Sequence, residues 1–334
     1  MKEKKTSDRK KEHIELALRS RLSEWENDRR FYYEPLLGRH PGEKDHVVDF
    51  FGKTMRFPIW VSSMTGGTAE ARKINERLAK ACSEFGLGMG LGSCRPLLED
   101  PKKYLGDFAL RNIIGTDSPF YANIGVAQLE KALAHKDMAR LEDMVSMLDA
   151  DGLIIHVNPL QEWIQPEGDR FVNPPIESIE QLLALTKMNI IVKEVGQGMG
   201  PGSLRRLMTL PVIIEFAAFG GTNFSLLEMS RRKDGADMVS LANIGHTMEE
   251  MILYFNKHKT KMGDIACKGV ILSGGVKDYL DGYYAVKKIK HPAVYGQASV
   301  LLKYARESYK SLRNFLHSQI EGYNMASELL KIRP

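Results

Sequence analysis

The chain has 334 residues, 43% of them hydrophobic and 27% charged, and 47 Lys and Arg against 42 Asp and Glu leave a formal charge of +5. That mixture excludes collagen-like, coiled-coil and wholly disordered chains, and the length allows about two domains or one large α/β domain. No run approaches the roughly 18 uninterrupted apolar residues of a membrane span, and the start lacks the apolar stretch of a signal peptide.

Three scattered cysteines, Cys82, Cys94 and Cys267, suit neither a disulfide framework nor a zinc site. A reducing cytoplasm is the expected compartment.

Lys2, Lys4, Lys5, Arg9, Lys10 and Lys11 crowd the first dozen residues. This basic leader reads as a solvated end, as an arm for nucleic acid, or as a lid over an anionic ligand, and composition does not choose. Across Asp8–Trp25, Ile14, Leu16, Leu18 and Leu22 lie among charges, which predicts a helix packed outside the domain that follows.

From Pro58 onward, short apolar runs alternate with amphipathic segments. The runs are Pro58–Ser62, Leu87–Leu91, Pro119–Ile124, Gly152–Val157, Asn189–Val195, Pro211–Ala217, Gly269–Leu272 and Pro292–Tyr295. Most are rich in Val, Ile or Leu and have the length of buried parallel strands. After Thr68, Ile74, Leu78, Ala81, Cys82 and Phe85 recur at helical spacing, and similar helices fit Glu177–Lys187, Met248–His258 and Gly282–Lys288. Eight strand–helix units over about 240 residues fit a closed (β/α)₈ barrel better than an open doubly wound sheet. The expected division is an N-terminal extension over residues 1–57 and the barrel over 58–334, with no low-complexity linker.

Chemistry in such barrels collects where the strands end. Ser273-Gly-Gly and Gly296-Gln-Ala298 follow the seventh and eighth runs, the usual place of a barrel phosphate clamp, and glycines there let backbone N–H groups approach an anion. The stretch from His156 to Asp169 is the densest polar cluster. Alternation along a strand aims His156 and Asn158 the same way, and Glu162 follows as an oxygen ligand suited to Mg²⁺. Read singly, Glu162 is a surface charge and His156 a satisfied core imidazole; beside Asn158, Gln161 and a phosphate clamp, the functional reading is the better one. Lys193 ends an apolar run, so its ammonium needs an anionic partner, and Glu194 points to the opposite strand face. Arg95 has a comparable position.

Arg9-Lys-x-x-His13, Met64-Thr-Gly-Gly67, Gly92-Ser-x-Arg95, Ala122-Asn-x-Gly125, His156-x-Asn-x-x-Gln-Glu162, Pro166-Glu-Gly-Asp169, Lys193-Glu-Val-Gly196, Gly220-Gly-Thr222 and Ser273-Gly-Gly275 occur in this order. From about residue 7 to residue 302 the chain resembles the type 2 isopentenyl diphosphate isomerases. The resemblance implies an FMN-dependent (β/α)₈ enzyme that interconverts isopentenyl and dimethylallyl diphosphate with reduced flavin and Mg²⁺, NADPH being the reductant of the flavin.

It implies flavin contacts at Ser63, Met64, Thr65, Ser93, Asn123, Lys193 and Thr222, with Gly275, Val276, Lys277, Ala298 and Ser299 holding the FMN phosphate. Arg9, Lys10, His13, Ser93, Arg95, His156, Asn158 and Gln161 would surround the substrate, Glu162 would bind Mg²⁺, and Gln161 would position or relay a proton, assisted by a carboxylate at Glu228. A homotetramer or homo-octamer is implied as well.

The chain departs from the family pattern at Ala217-Ala218-Phe219, Asn223, Phe224, Cys94 and Lys277, which bears on the shape of the flavin edge more than on the reaction. An ordinary flavin oxidoreductase on this fold wants a His or Tyr acid–base group over the flavin, whereas Gln161 and Glu162 stand beside a cationic leader. That leader has few aromatics, so neither nucleic acid nor membrane is an expected partner.

Overall fold

Each of the eight apolar runs forms a strand, and the strands close on themselves. A computed structural model describes residues 6–42, 44–63, 66–232 and 238–334. The barrel strands are β1 (Ile59–Val61), β2 (Gly88–Gly90), β3 (Phe120–Gly125), β4 (Gly152–His156), β5 (Asn189–Lys193), β6 (Ile213–Glu215), β7 (Gly269–Ser273) and β8 (Ala293–Gln297). They are parallel, each pairs with its neighbour in sequence, and β8 returns to β1. The chain is a (β/α)₈ barrel.

Alternation divides each strand between two cores. Outward residues such as Val61, Phe120, Leu153, Val192, Ile214 and Leu272 meet the surrounding helices in one large apolar cluster. Inward residues Trp60, Tyr121, Ile154, Ile191, Ile213, Ile271 and Val294 fill the barrel itself. From below, a hairpin of Val48–Phe50 and Lys53–Met55 inserts Phe50, whose ring stacks on Trp60 with centroids 4.9 Å apart. Part of the stretch before residue 58 is therefore the floor of the barrel.

The helices follow the sequence periodicity. Ala69–Phe85 starts at Thr68, whose hydroxyl accepts from the Ala71 amide, and stops at left-handed Gly86. Pro175–Leu185, Met248–Met262 and Tyr279–Lys288 occupy the other expected helical stretches. A 21-residue helix, Tyr309–Leu329, buries Leu312, Leu316, Tyr323 and Ala326, and the strand after it, Leu330–Ile332, pairs antiparallel with Phe31–Tyr33. The two ends of the chain are thereby joined.

The N-terminal helix departs from expectation. It spans Thr6–Ala17, and Ile14, Leu18, Leu22 and Trp25 are all at least 73% exposed, so the segment does not pack on the barrel. Its apolar residues are too few and too interrupted by charge to bury a face at a useful gain. Lys2, Lys4, Lys5, Met64 and Thr65, singled out above, lie outside the described residues. Among the described residues, no helix is long and apolar enough to cross a membrane. The three cysteines are free and buried, and burial pushes each thiol up, away from the reactive thiolate.

Candidate active site

One residue pair above its apolar filling, the barrel interior turns polar. Two positions after each inward apolar residue stand Ser62, Asn123, His156, Lys193, Glu215 and Ser273, with Gly90 and Gly296 completing the ring. Lys193 is in register with His156 on one side and Glu215 on the other. Both Lys193 and Glu215 are buried, at 6% and 0% exposure.

Over this layer lies an open cavity of about 190 Å³, lined by Ser62, Ser63, Lys193, Glu215, Thr222 and the loops Gly274–Lys277 and Ala298–Val300. On one side it is built to hold an anion. The amides of Gly275 and Val276 take no part in the turn bonds of the described residues, and the helix Ser299–Glu307 begins beside them without a side-chain cap. Uncapped N–H groups and the positive end of a helix suit phosphate.

Gly274 makes this arrangement possible. Its φ is +96°, and a Cβ there would stand 2.1 Å from the Ala218 carbonyl oxygen, so no other residue lets the β6 and β7 loops approach this closely.

The cavity floor carries polar oxygens that await a partner. The buried oxygens Ser62 Oγ, Ser63 Oγ, Glu215 Oε2 and Gln297 Oε1 have no hydrogen-bond partner among the described residues. Lys193 Nζ donates to the Glu194 carbonyl at 2.8 Å, while the Glu194 carboxylate accepts from the amides of Gly196, Gln197 and Gly198. As the strand alternation implied, Glu194 is thus no side-chain partner for Lys193. A ligand with a phosphate, hydroxyl donors and an electron-rich ring, as FMN has, fits these groups.

Beside the cavity, the loop after β4 carries a continuous polar network. Asn158 Nδ2 donates to Gln161 Oε1 and to Glu162 Oε1, each at 3.0 Å. Gln161 Nε2 donates to Glu228 Oε1 at 3.3 Å, and Arg231 holds the other Glu228 oxygen at 2.5 Å. Glu162 Oε2 accepts the Asp169 amide at 2.7 Å. The Asp169 carboxylate takes Lys131, Gln128 and Arg95 at 2.6, 2.9 and 3.4 Å. Burial works against its charge, but these partners, Lys131 foremost, hold Asp169 below the usual carboxylate range.

His156 Nδ1 lies 2.9 Å from Asn123 Oδ1, and the amide nitrogen of Asn123 donates to the Leu91 carbonyl. Asn123 thus presents its oxygen, which makes His156 the Nδ1–H tautomer with a free lone pair on Nε2. Desolvation, then the nearby Lys193 charge, push the imidazole down to about 3.

Among the described residues no three His, Cys, Asp or Glu side chains converge on one point to hold a metal. Glu162 is a single buried carboxylate, and each of its oxygens keeps a lone pair beyond the hydrogen bond it accepts; Asn158 Oδ1 beside it is buried and unpartnered. These hard donors fit a Mg²⁺ that draws its remaining ligands from water and a diphosphate.

The structure therefore gathers Ser63, Lys193, Thr222, Gly275, Val276, Lys277, Ala298 and Ser299 around one cavity, and Asn158, Gln161, Glu162 and Arg95 into the adjoining network, while His156 pairs with Asn123 in the ring of strand-end residues. Asn123 orients His156 and does not line the cavity, and neither does exposed Ser93. Arg9, Lys10 and His13 lie exposed on the Thr6–Ala17 helix, outside the cavity lining. Glu215 and Ser62 escape a reading that begins where apolar runs end, because Glu215 is enclosed within Pro211–Ala217. Counting two residues past each inward apolar side chain finds both.

Fold and mouth together define an α/β barrel protein with an anion-holding cleft at the C-terminal ends of its strands. Its fold is similar to that of a flavocytochrome b2 variant with benzoylformate (TM-score 0.61, 15% identity, 90% of this chain and 72% of that one). It is also similar to a mandelate oxidase variant with an FMN adduct (TM-score 0.54, 13% identity, 91% and 88%). At that identity the likeness is one of fold alone. No family model matches the chain.

The isopentenyl-diphosphate delta-isomerase of Rickettsia prowazekii (strain Madrid E) is 35% identical over 306 residues, covering 89% of this chain and 86% of the relative. That of Rickettsia felis (strain ATCC VR-1525 / URRWXCal2) is 34% identical over 323 residues, covering 94% and 90%. The chain belongs to the isopentenyl-diphosphate delta-isomerase family.

Proposed function

We propose that this protein is a type 2 isomerase that interconverts isopentenyl and dimethylallyl diphosphate, using FMN reduced by NADPH together with Mg²⁺. The observation that carries the reading is the adjacency of two half-sites. An anion cradle with Lys193 opens beside the network Asn158–Gln161–Glu162–Glu228, in a chain whose relatives are named for this isomerisation.

The substrate is an unactivated alkene on a diphosphate of about three negative charges near neutral pH. Arg95 would offset that charge together with a Mg²⁺ held by Glu162, and Arg9, Lys10 and His13 would close over it if the leader folds down, excluding water. When bound, reduced FMN supplies an electron-rich face for the cation-like transition state and leaves the reaction redox neutral. The Gln161 amide is held at both ends, by Asn158 Nδ2 at its oxygen and Glu228 Oε1 at its nitrogen. It would position the reacting carbons or relay a proton, with the Glu228 carboxyl as the reservoir that gives up the proton gained at one carbon and takes back the one lost from the other. Lys193 would hold the ring, with Ser63 and Thr222 of the cavity lining at its edge.

A hydroxy-acid oxidoreductase needs a base over the flavin. His156 has no carboxylate partner and is held neutral with its pKa near 3, which makes it a feeble one. The reading also takes the protein as a cytoplasmic homotetramer or homo-octamer, which light scattering of the purified protein decides.

The function is tested by incubating the protein with isopentenyl diphosphate, reduced FMN and Mg²⁺ and measuring dimethylallyl diphosphate. Product that disappears when either flavin or metal is withheld supports the reading. No product at saturating flavin and metal, with oxidation of a hydroxy acid instead, overturns it.

A further inference from the structure

We infer that Glu215 accepts hydrogen bonds from the hydroxyls of the flavin's ribityl chain and so selects a polyol-bearing phosphate; this rests on the FMN reading above. Glu215 ends β6, is fully buried and lines the cavity. Its two oxygens are unequal. Oε1 accepts from Ser273 Oγ at 3.0 Å, a hydroxyl that is itself held by the Ala217 amide. Oε2 is buried against the cavity with no donor among the described residues.

A carboxylate oxygen in that state is costly unless something entering the cavity supplies an N–H or O–H. Lys193 stands in register on β5, but its ammonium donates to the Glu194 carbonyl and makes no ion pair with Glu215 among the described residues.

Strand order says which part of the ligand arrives there. The phosphate cradle is built by the loops after β7 and β8, Lys193 stands on β5, and β6 lies between them. A molecule whose phosphate sits in the cradle and whose ring reaches Lys193 must cross Glu215 with the segment that joins the two. A phosphate presents acceptors, and the joining segment of FMN is a chain of secondary hydroxyls, which are donors. Gln297 Oε1 on the same floor has the same need, and the unpartnered Ser62 and Ser63 hydroxyls there can donate or accept. Glu215 is the one of them on β6, between the cradle and Lys193.

The experiment titrates the flavin-stripped full-length protein and its Glu215→Gln variant by flavin fluorescence. One ligand is FMN; the other is a flavin phosphate whose chain is an unsubstituted alkyl of equal length. Wild type should prefer FMN by about tenfold or more, the size expected for loss of a charged hydrogen bond. Glu215→Gln should weaken FMN by a similar factor and leave the alkyl analogue nearly unchanged. Equal weakening of both ligands, or of neither, overturns the inference, because an effect passed through Lys193 and the shared ring strikes both alike. If the variant fails to fold, the wild-type comparison still decides, equal affinity for the two ligands overturning it. Binding of neither flavin to wild type overturns the cofactor reading itself and this inference with it.

Discussion

His156 shows how far one side chain's chemistry follows from its neighbours. Its pKa falls from an ordinary 6.5 to about 3 in the fold, first through burial and then through Lys193. Between those values the unfolded chain binds the extra proton, so the stability of the neutral form is full above pH 6.5 and is lost as pH falls toward 3. His156→Gln should therefore flatten the decline of the melting temperature below pH 6.5, and imidazole ¹⁵N shifts should report the Nδ1–H tautomer throughout neutral pH. Glu162→Gln keeps an acceptor for the Asp169 amide but lowers metal affinity; Mg²⁺-dependent turnover should drop about 10- to 100-fold while the yellow flavin stays bound. Unchanged turnover without added Mg²⁺ would show that the metal is held elsewhere. Lys193→Ala should weaken flavin binding by about 10- to 100-fold, read by fluorescence titration.

At this scale the sequence was legible where polar residues interrupt apolar runs, as at His156, Asn158 and Lys193. It was not legible at Glu215, a carboxylate flanked on both sides by Ile213, Ile214, Phe216 and Ala217. Such a residue counts as strand filling until its inward direction is known.

At the level of elements, the eight strands were readable because a parallel strand buried on both faces must be almost wholly apolar, and few other segments are. The exposed Thr6–Ala17 helix was not readable as exposed, since local periodicity announces a helix but not whether a partner surface exists. The loops after β6 and β7 are where an element-level change should matter most. Gly274→Ala forces a left-handed φ and a contact with the Ala218 backbone, and strain of this kind costs roughly 1–3 kcal/mol. The variant should lose several degrees in melting temperature and bind flavin poorly, while the Ala69–Phe85 helix on the far side keeps its hydrogen-exchange protection. A variant with wild-type flavin affinity would remove the cradle from the phosphate's binding site.

Taken whole, the molecule is closed twice, once by the β8–β1 pairing and once by the ribbon joining residues 31–33 to 330–332. Tyr283, whose hydroxyl donates to the Leu330 carbonyl, ties that ribbon to the barrel helices. Deleting residues 330–334 should lower the melting temperature by a few degrees, each kcal/mol being worth about 2 °C in a chain of this size, without changing flavin affinity. The barrel was legible at this scale from strand count alone. The pairing of the two ends was not, because three-residue ladders carry no periodic signal.

The central claim is that the mouth of this barrel moves a double bond without net electron transfer. Its most direct test is anaerobic turnover of isopentenyl diphosphate in D₂O, with Mg²⁺ and pre-reduced FMN, followed by mass spectrometry and absorption together. The account predicts dimethylallyl diphosphate that has gained solvent deuterium, with the flavin still reduced at the end. Product formed equally well with oxidised flavin, or flavin reoxidised in step with product, would contradict it.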